Sequence, residues 1–385
     1  MFQRIRHALG IKFKRRLTRW QAWFERNERI IIPFALFGGF VFDFLTLTRI
    51  DQLYENIVLF GYLALAATGI TFVHFYESWT YHRLVQENGF IDRALGYLHA
   101  PTPFIIQFAF GALFSGFSVF YMRSGAFTAS WPWFLVLGGL MVGNEFFRKQ
   151  YIRLSFQVGV LFFALFSYAI FSVPMLVGTI GWWVFLLSGV LSLLAIFGFM
   201  YFLRSIIPTR FNQSKNGLIA TVISVFAIVN VFYFTNILPP IPLSLKDISV
   251  YHQVIRSDGA GYIVEGEPRP WYDFFTFSQT HHVTDNGDAY VFSSVFAPTG
   301  LETQIVHHWR YYDDAVAKWV DRGSISFTVV GGRDGGFRGY SRKSGITPGG
   351  WRVDVETSNG QLIGRIRFDV VRVSEAPERE SRVIR

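Results

Sequence analysis

Two patterns of apolar residues divide the chain near residue 240. Before that point, apolar residues form unbroken runs of about 17–22 residues, close to the ~20 residues that an α-helix needs to cross the hydrocarbon core of a bilayer. The runs predict seven membrane spans, at residues 30–48, 57–76, 103–121, 131–147, 154–172, 182–203 and 217–236. Residues 173–183 are also apolar and could extend either neighbouring span.

After residue 240 the apolar positions alternate with polar ones and are separated by glycine-rich turns, as in β-strands with one buried face. The segment Asn236–Pro242 comes first, and its three prolines in four positions cannot continue a helix. Strands are predicted near residues 248–256, 260–265, 288–296, 302–311, 322–330, 336–342, 350–357 and 361–371. Regularly spaced short strands with no helical stretch predict an antiparallel β-sandwich.

One hairpin can be aligned residue by residue, because Asn359-Gly360 is the favoured two-residue hairpin turn. This turn pairs Trp351 with Phe368, Val353 with Ile366, Arg352 with Arg367 and Asp354 with Arg365. The apolar pairs therefore share one face of the hairpin, and we expect them to be buried. The charged pairs share the other face, and we expect their arginines to be exposed.

The composition agrees with a membrane protein. Hydrophobic residues make up 51% of the chain and charged residues 16%, whereas soluble proteins carry about 25% charged residues. This balance excludes a disordered chain, a collagen and a coiled coil. The chain has no cysteine, which excludes disulfides, thiolate metal sites and cysteine nucleophiles.

The distribution of charge predicts the orientation of the spans. The first 240 residues carry a net charge of +10 and the remainder −1, so the basic excess does not belong to a nucleic-acid-binding domain. Loops on one side hold 17 Lys and Arg residues, and loops on the other side only Arg49 and Arg123. Because cytoplasmic loops are enriched in Lys and Arg, we expect a cytoplasmic N-terminus and an external C-terminal domain in a bacterial inner membrane.

These patterns divide the chain into five segments. They are an amphipathic helix at 1–29, a seven-span bundle at 30–236, a Pro-rich linker at 237–247, the β-sandwich at 248–373 and a charged, frayed tail at 374–385. Apolar residues recur every three or four positions from Phe2 to Phe24, with arginines on the rest of the wheel. Such a helix lies on the anionic inner leaflet of a lipid bilayer. The alternative is a cytoplasmic helix packed on the bundle.

Several stretches of the chain form a distinctive combination. They are Gly349–Thr357, Asn359–Gly364, Phe337–Lys343 and His307–Trp309, joined by the membrane-proximal segments Phe42–Asp51 and Leu238–Asp247. Together they resemble the bacterial family called domain of unknown function 2914, a domain that often ends multi-pass membrane proteins. The resemblance implies a bacterial multi-pass membrane protein. It implies no activity, catalytic residue or cofactor.

Two acids fall inside predicted spans, where ionisable residues are costly and often functional. Asp43 lies near the outer end of the first span and Glu145 near the inner end of the fourth, so they cannot form one carboxylate pair. Asp43 is interpreted as a helix-end acid held by Arg49 or Asn230.

Glu145 allows two interpretations. It can pair with Arg148, which lies on the same helix face. Alternatively, Glu145, Asn144 and His74 form a polar site on the cytoplasmic side of the bundle. The middle layer of the spans is almost entirely apolar, whereas transporters usually hold substrate near the midplane.

Small residues within the spans predict close helix contacts. Gly139 and Gly143 form one such pair, spaced so that a neighbouring helix can approach closely.

The histidine pairs 281–282 and 307–308 raise the question of a metal. Neighbouring side chains in a strand point to opposite faces, so each pair offers one ligand to any one site. No third ligand follows at a recognised spacing, and we expect no metal and no cofactor. His307 shares a face with Ile305 and Trp309, which predicts a hydrogen-bonded core histidine.

The charged hairpin face is the remaining candidate for binding. Arg352, Arg365 and Arg367 share this face, and like charges directly opposite one another are destabilising. They form either a solvated ladder of salt bridges or a basic strip that meets an anionic glycan, a lipid headgroup or an acidic partner.

These observations favour a non-enzymatic membrane protein whose external domain binds an envelope protein or a glycan. One alternative is a transporter, or an enzyme that acts on a lipid-linked substrate through a polar site in the bundle. Another is a subunit of a larger membrane complex. We find no sequence motif for catalysis and expect no nucleic-acid partner.

Overall fold

The structure is a computed structural model that describes residues 52–82, 101–123, 127–146, 153–240, 242–257, 261–268, 278–284, 287–333 and 335–384, with residues 41, 43, 45, 95, 98 and 99. Residues 1–29 and most of the first predicted span therefore lie outside the described part.

Six long helices come first in the described chain. They are α1 (Leu53–His82), α2 (Thr102–Arg123), α3 (Phe127–Phe146), α4 (Leu154–Val177), α5 (Trp182–Ile206) and α6 (Pro208–Phe234). All except α3 are long and apolar enough to cross a membrane, and α3 contains a shorter apolar stretch, Trp131–Leu140. Six of the predicted apolar runs are thus helices, and residues 173–177 extend α4 rather than α5.

Aromatic side chains fill the interior of this bundle. Phe110, Phe114, Phe117 and Phe162 are fully buried, and Trp133 packs edge-to-face against the Tyr121 ring. The outer surface of the helices is apolar as well. Exposed examples are Phe60, Phe104, Phe108, Leu135, Leu194, Phe197, Ile223 and Phe234. Large apolar side chains on both the inside and the outside of a bundle are compatible with a lipid environment.

The close helix contacts in the described residues involve other glycines than Gly139. Gly139 is exposed, and a Cβ atom there would meet nothing within 4 Å among the described residues. The described part of the structure therefore shows no tight contact at Gly139. Close approach occurs instead where Gly69 of α1 faces Ile106 of α2, and where Gly159 of α4 faces Thr221 of α6. Spacing along one helix does not reveal which face another helix covers.

Eleven strands follow the helices in the described chain. They are β1 (Ser244–Tyr251), β2 (Gln253–Ser257), β3 (Gly261–Gly266), β4 (Gln279–Val283), β5 (Ala289–Phe296), β6 (Glu302–Asp313), β7 (Lys318–Val330), β8 (Phe337–Lys343), β9 (Gly349–Thr357), β10 (Leu362–Arg372) and β11 (Glu380–Ile384). They form three sheets, with the orders β1-β5-β8, β4-β10-β9-β6-β7 and β11-β3-β2. All pairings are antiparallel except that of β4 with β10.

The β9–β10 hairpin has the predicted register. Trp351 pairs with Phe368 and Val353 with Ile366, and all four side chains are buried. They pack in one core with Val250 of β1 and with residues of β5 and β6. The five-stranded sheet therefore shares its apolar face with the β1-β5-β8 sheet.

Two strands were not predicted from the sequence. The short strand β4 pairs with the distant β10, and β11 pairs with β3. The prediction of a frayed tail is wrong for residues 380–384, which form β11. Both strands gain their hydrogen bonds from segments remote in sequence, so local pattern gives little sign of them.

The β domain is packed against the end of the bundle from which α6 leaves. Pro239 and Pro240 of the linker are buried, not extended into solvent. Leu238 belongs to the bundle core, whereas Leu243 belongs to a core of the β domain. The linker thus joins two hydrophobic cores directly.

A second connection comes from the turn between α4 and α5. Gly178 has φ of 77°, a left-handed conformation that ends α4. Its carbonyl oxygen accepts a hydrogen bond of 3.2 Å from the backbone N–H of Glu302 in β6. Ile180 packs against the same β-domain core as Leu243. Two separate segments of the bundle therefore hold the β domain at one end.

Candidate functional site

The charged face of the hairpin is organised around Asp354. Arg367 lies opposite Arg352, and Arg365 opposite Asp354, as the turn predicted. The Asp354 carboxylate is fully buried and forms ion pairs with three arginines: Arg310 at 3.0 Å, Arg352 at 3.3 Å, and Arg365. A buried carboxylate with three cationic partners is well compensated, although its single negative charge balances only one of the three arginines.

The exposure of this face differs from the prediction for Arg352. Its side chain is only 9% exposed, and the guanidinium lies 4.6 Å from the centre of the Trp319 ring. Burial lowers the pKa of Arg352 to about 10, with neighbouring arginines acting in the same direction and Asp354 opposing them. Arg365 is half-buried and Arg367 is exposed. The expectation that all three arginines are exposed was wrong, because Trp319 from β7, which lies beyond β6 in the same sheet, covers Arg352.

Further acids and a histidine extend this network. Arg310 also reaches Glu356 at 3.5 Å, and His308 pairs with Asp321. Burial, together with the charge of Asp354, raises the pKa of Glu356 above its ordinary value. The face is therefore a ladder of opposite charges, and of the proposed basic strip only Arg367 remains fully exposed.

A polar cluster lies between the bundle helices α1, α4 and α6. Burial of His74 is nearly complete, and its Nε2 donates to the Gln157 side-chain oxygen at 2.8 Å. Its Nδ1 accepts from Arg210 at 2.8 Å, and Arg210 is also paired with Glu77. Both nitrogens of the His74 ring are thus hydrogen-bonded, and these two bonds connect α1 to α4 and α6.

Of the other predicted membrane residues, the structure describes the side chain of Asp43 alone. Asp43 lies close to Ser115 and Tyr62. Asn144 and Glu145 lie in α3, but their side chains, and the whole of Arg148, are outside the described part of the structure.

His307 is a core histidine, as predicted. It is fully buried, with Nε2 2.7 Å from the Ser293 hydroxyl and Nδ1 2.9 Å from the Ser341 hydroxyl. Trp309 donates to the same Ser341 oxygen at 3.0 Å. Burial lowers the pKa of His307 to about 3, so the ring is neutral at physiological pH.

A second group of histidines meets where the three sheets join. His252 lies between β1 and β2, Glu267 follows β3, and His281 lies in β4. The His252 and His281 rings stack with their centres 4.2 Å apart, and His252 Nε2 donates to Glu267 at 3.0 Å. The sequence analysis considered His281 only as part of a histidine pair, and it did not single out His252 or Glu267. These three positions are far apart in the sequence and come together only through the arrangement of the sheets.

Among the described residues, no strand pairs with the outer edge of β7, the last strand of the five-stranded sheet. Residues 321–326 are all exposed, so both faces of the strand are uncovered there. The stretch from Gly323 to Val330 contains neither a charged residue nor a proline. Ile325 is 39% exposed and Val330 is 53% exposed. Soluble proteins usually protect a sheet edge with charge, proline or a covering segment.

Comparisons with known proteins agree with the sequence resemblance. Residues 302–370, which run from β6 into β10, match the model of a family described as "Protein of unknown function (DUF2914)". The C-terminal region matches this family. The DUF2914 match thus covers the charged face around Asp354, the open β7 edge and the core histidine.

The other two comparisons add no function. No curated protein matches the chain. Among solved structures, the chain is similar to Pseudomonas fluorescens alkylpurine DNA glycosylase AlkC bound to DNA containing an abasic site analog, with 8% identity over 84% of this chain and 99% of that one. The TM-score of 0.20 is too low to carry an argument about fold or activity.

Proposed function

We propose that this chain is a seven-span protein of the bacterial cytoplasmic membrane that displays its C-terminal β-sandwich outside the membrane to bind a partner protein. In this proposal the chain is not an enzyme. The N-terminus lies in the cytoplasm, and residues 1–29 rest on the anionic inner leaflet.

The position of the β domain supports this arrangement. The α4–α5 turn and the exit of α6 lie at the same end of the bundle, and both contact the β domain. The opposite ends of α5 and α6 carry Arg204, Arg210 and Lys215. Since cytoplasmic loops are rich in Lys and Arg, that basic end belongs in the cytoplasm and the β domain outside.

The open edge of β7 is the observation that carries the binding role. An uncharged edge strand offers a row of backbone donors and acceptors to an incoming extended segment. The neutral stretch from Gly323 to Val330 suits an uncharged extended segment of a protein better than an anionic glycan. On the neighbouring charged face, Arg310, Arg352 and Arg365 already contact Asp354, which leaves Arg367 as the exposed arginine of the predicted strip and makes an anionic ligand there less favourable than a protein segment at the edge.

The main alternative is transport or chemistry on a lipid-linked substrate inside the bundle. It would use the polar cluster around His74. Both ring nitrogens of His74 are taken by Gln157 and Arg210, and Arg210 pairs with Glu77. A saturated set of contacts favours a structural clamp over a substrate site.

Photocross-linking in intact cells tests the proposal. A photoreactive amino acid at Ser324 should give a discrete adduct with a partner protein, whereas the same group at the exposed Ser344, off the β7 edge, should not. Ile325→Lys should abolish the adduct, because a charge on an edge strand opposes strand pairing. The matched control is Val316→Lys, which places a lysine at another exposed apolar position. Equal adducts from Ser324 and Ser344 would contradict the assignment of the edge.

A further inference from the structure

We propose that His252, Glu267 and His281 bind one divalent transition-metal ion, with Zn²⁺ as the ion of matching chemistry. The site lies where the three sheets of the β domain meet. It is separate from the β7 edge and does not rest on the proposed binding function.

The three side chains converge on one point. One ligand atom from each lies within 4.8 Å of the others, and His252 Nε2 is 3.0 Å from Glu267 Oε1. Ligands bound to one Zn²⁺ at 2.0–2.1 Å in a tetrahedron lie about 3.3 Å from each other. To bind one ion together, the stacked His252 and His281 rings must turn so that a lone pair of each points at it.

Groups that do not themselves bind the ion form hydrogen bonds that orient the ligands, as in most metal sites. His281 Nε2 donates to the backbone oxygen of Asp288 at 3.2 Å, which leaves Nδ1 with a free lone pair in the neutral ring. Metal-binding histidines almost always donate their second nitrogen in this way. The Asp288 side chain is itself fixed by Arg342 at 2.6 Å. The backbone N–H of His282 orients Glu267 through a bond of 2.8 Å.

The protonation states also suit a metal. Burial lowers the pKa of His252 and lowers that of His281 to about 4, so both rings are neutral near pH 7. Burial of Glu267 opposes its ionisation, but hydrogen bonds from His282 and His252 hold its pKa below the ordinary value. Neutral imidazole and ionised carboxylate are the forms that bind metals.

Other charged groups surround the site. The His282 ring contacts Glu267 at 2.6 Å, and the positive charge of Arg379 acts on both His252 and His281. To bind an ion through Nε2, the neutral His252 ring must carry its proton on Nδ1 instead, and Glu267 then gives up the hydrogen bond from His252 for the ion.

Two imidazoles and one carboxylate form a recognised ligand set. It suits zinc and other first-row transition ions, whereas Ca²⁺ and Mg²⁺ prefer oxygen ligands throughout. An ion here would connect the turn after β1, the end of β3 and strand β4. It would therefore stabilise the junction of the three sheets.

Zinc titration of the purified full-length chain in detergent, after removal of metals by chelation, tests the proposal. We expect one Zn²⁺ per chain and a higher Tm with zinc. Glu267→Gln keeps the size of the side chain but removes its charge, and should weaken zinc binding by at least about 100-fold, the upper range for changes to residues behind a metal ligand. His308→Gln is the matched control, because His308 lies in the charged ladder instead, and this variant should bind zinc like the wild type.

Co²⁺ provides a second measurement that needs no variant. Bound to the wild-type chain, it should give visible absorption bands typical of low coordination number. Failure of the folded wild type to take up stoichiometric Zn²⁺ would overturn the proposal. Wild-type affinity in a folded Glu267→Gln chain, or absence of the Co²⁺ bands, would overturn it as well.

Discussion

Leu238 is buried in the core of the helical bundle, and Leu243, a few residues further along the chain, is buried in the core of the β domain. The segment between them contains Pro239 and Pro240, both buried. A stiff and buried linker of this kind fixes the β domain relative to the bundle. The contact between Gly178 and Glu302 provides a second point of attachment.

A disulfide tests this second attachment. Thr179 and Glu302 form an isolated parallel β-bridge, which brings their backbones to a distance that a disulfide can span. Because the chain has no cysteine, the pair Thr179→Cys and Glu302→Cys introduces the only two thiols. Mild oxidation should protect both thiols from a maleimide mass tag. The control pair Thr179→Cys and Ser324→Cys should stay reactive, and equal protection of the two pairs would argue against the docked arrangement.

The packing of the hairpin gives a prediction about stability. Trp351 is 3% exposed and packs against Tyr311 and Trp309. Trp351→Ala should lower the free energy of unfolding of the β domain by about 3–5 kcal/mol. The exposed Arg367→Ala should change it by no more than about 0.5 kcal/mol. Denaturant unfolding followed by tryptophan fluorescence measures both, and similar losses in the two variants would show that the assigned face is wrong.

The ion pairs of Asp354 give a second prediction about stability. Asp354→Asn leaves Arg310 and Arg352 close together without their shared carboxylate. Removing one partner of a buried ion pair typically destabilises a protein by about 3–5 kcal/mol. Thermal unfolding of this variant should show a clear drop in Tm, whereas Asp314→Asn, at an exposed turn position, should not. An unchanged Tm would mean that solvent already screens the Asp354 carboxylate.

His307 predicts a pH dependence of stability. Its pKa is about 3 in the folded chain, below the ordinary histidine value of 6.5, so the unfolded state binds a proton more readily. The stabilisation is complete above pH 6.5 and is lost as the pH falls from there towards 3, by about 1.4 kcal/mol per pH unit. Between pH 7 and pH 4, the free energy of unfolding should therefore decrease more steeply for the wild type than for His307→Gln. Parallel pH profiles would contradict a neutral buried ring.

The sequence predicted much of the fold where structure depends on local chemistry. The Asn359-Gly360 turn set the register of β9 and β10, and six of the apolar runs are helices, although α6 begins at Pro208, well before its predicted run at residue 217. Strands β4 and β11 escaped prediction because they depend on partners far along the chain. The exposure of Gly139 was missed for a similar reason, since helix spacing does not show which face is covered.

In the candidate sites too, features that depend on local sequence were predicted, and features that depend on distant segments were not. The charged face was predicted from the hairpin register, but the cover that Trp319 places over Arg352 comes from another strand. His252, Glu267 and His281 come together only because three sheets meet, and no spacing rule connects them. Alternation along a strand predicts one ligand from the pair His281–His282 for any single site, but it could not reveal His252 or Glu267.

The orientation of the chain in the membrane is the central claim, and labelling of single cysteines tests it most directly. Ser324→Cys places an exposed thiol on the β domain, and Lys215→Cys places one at the opposite end, near the start of α6. A membrane-impermeant maleimide applied to intact cells, with the outer envelope made permeable, should label Ser324→Cys at once. It should label Lys215→Cys only after the inner membrane is opened. Immediate labelling of Lys215→Cys with protection of Ser324→Cys would contradict the external placement of the β domain.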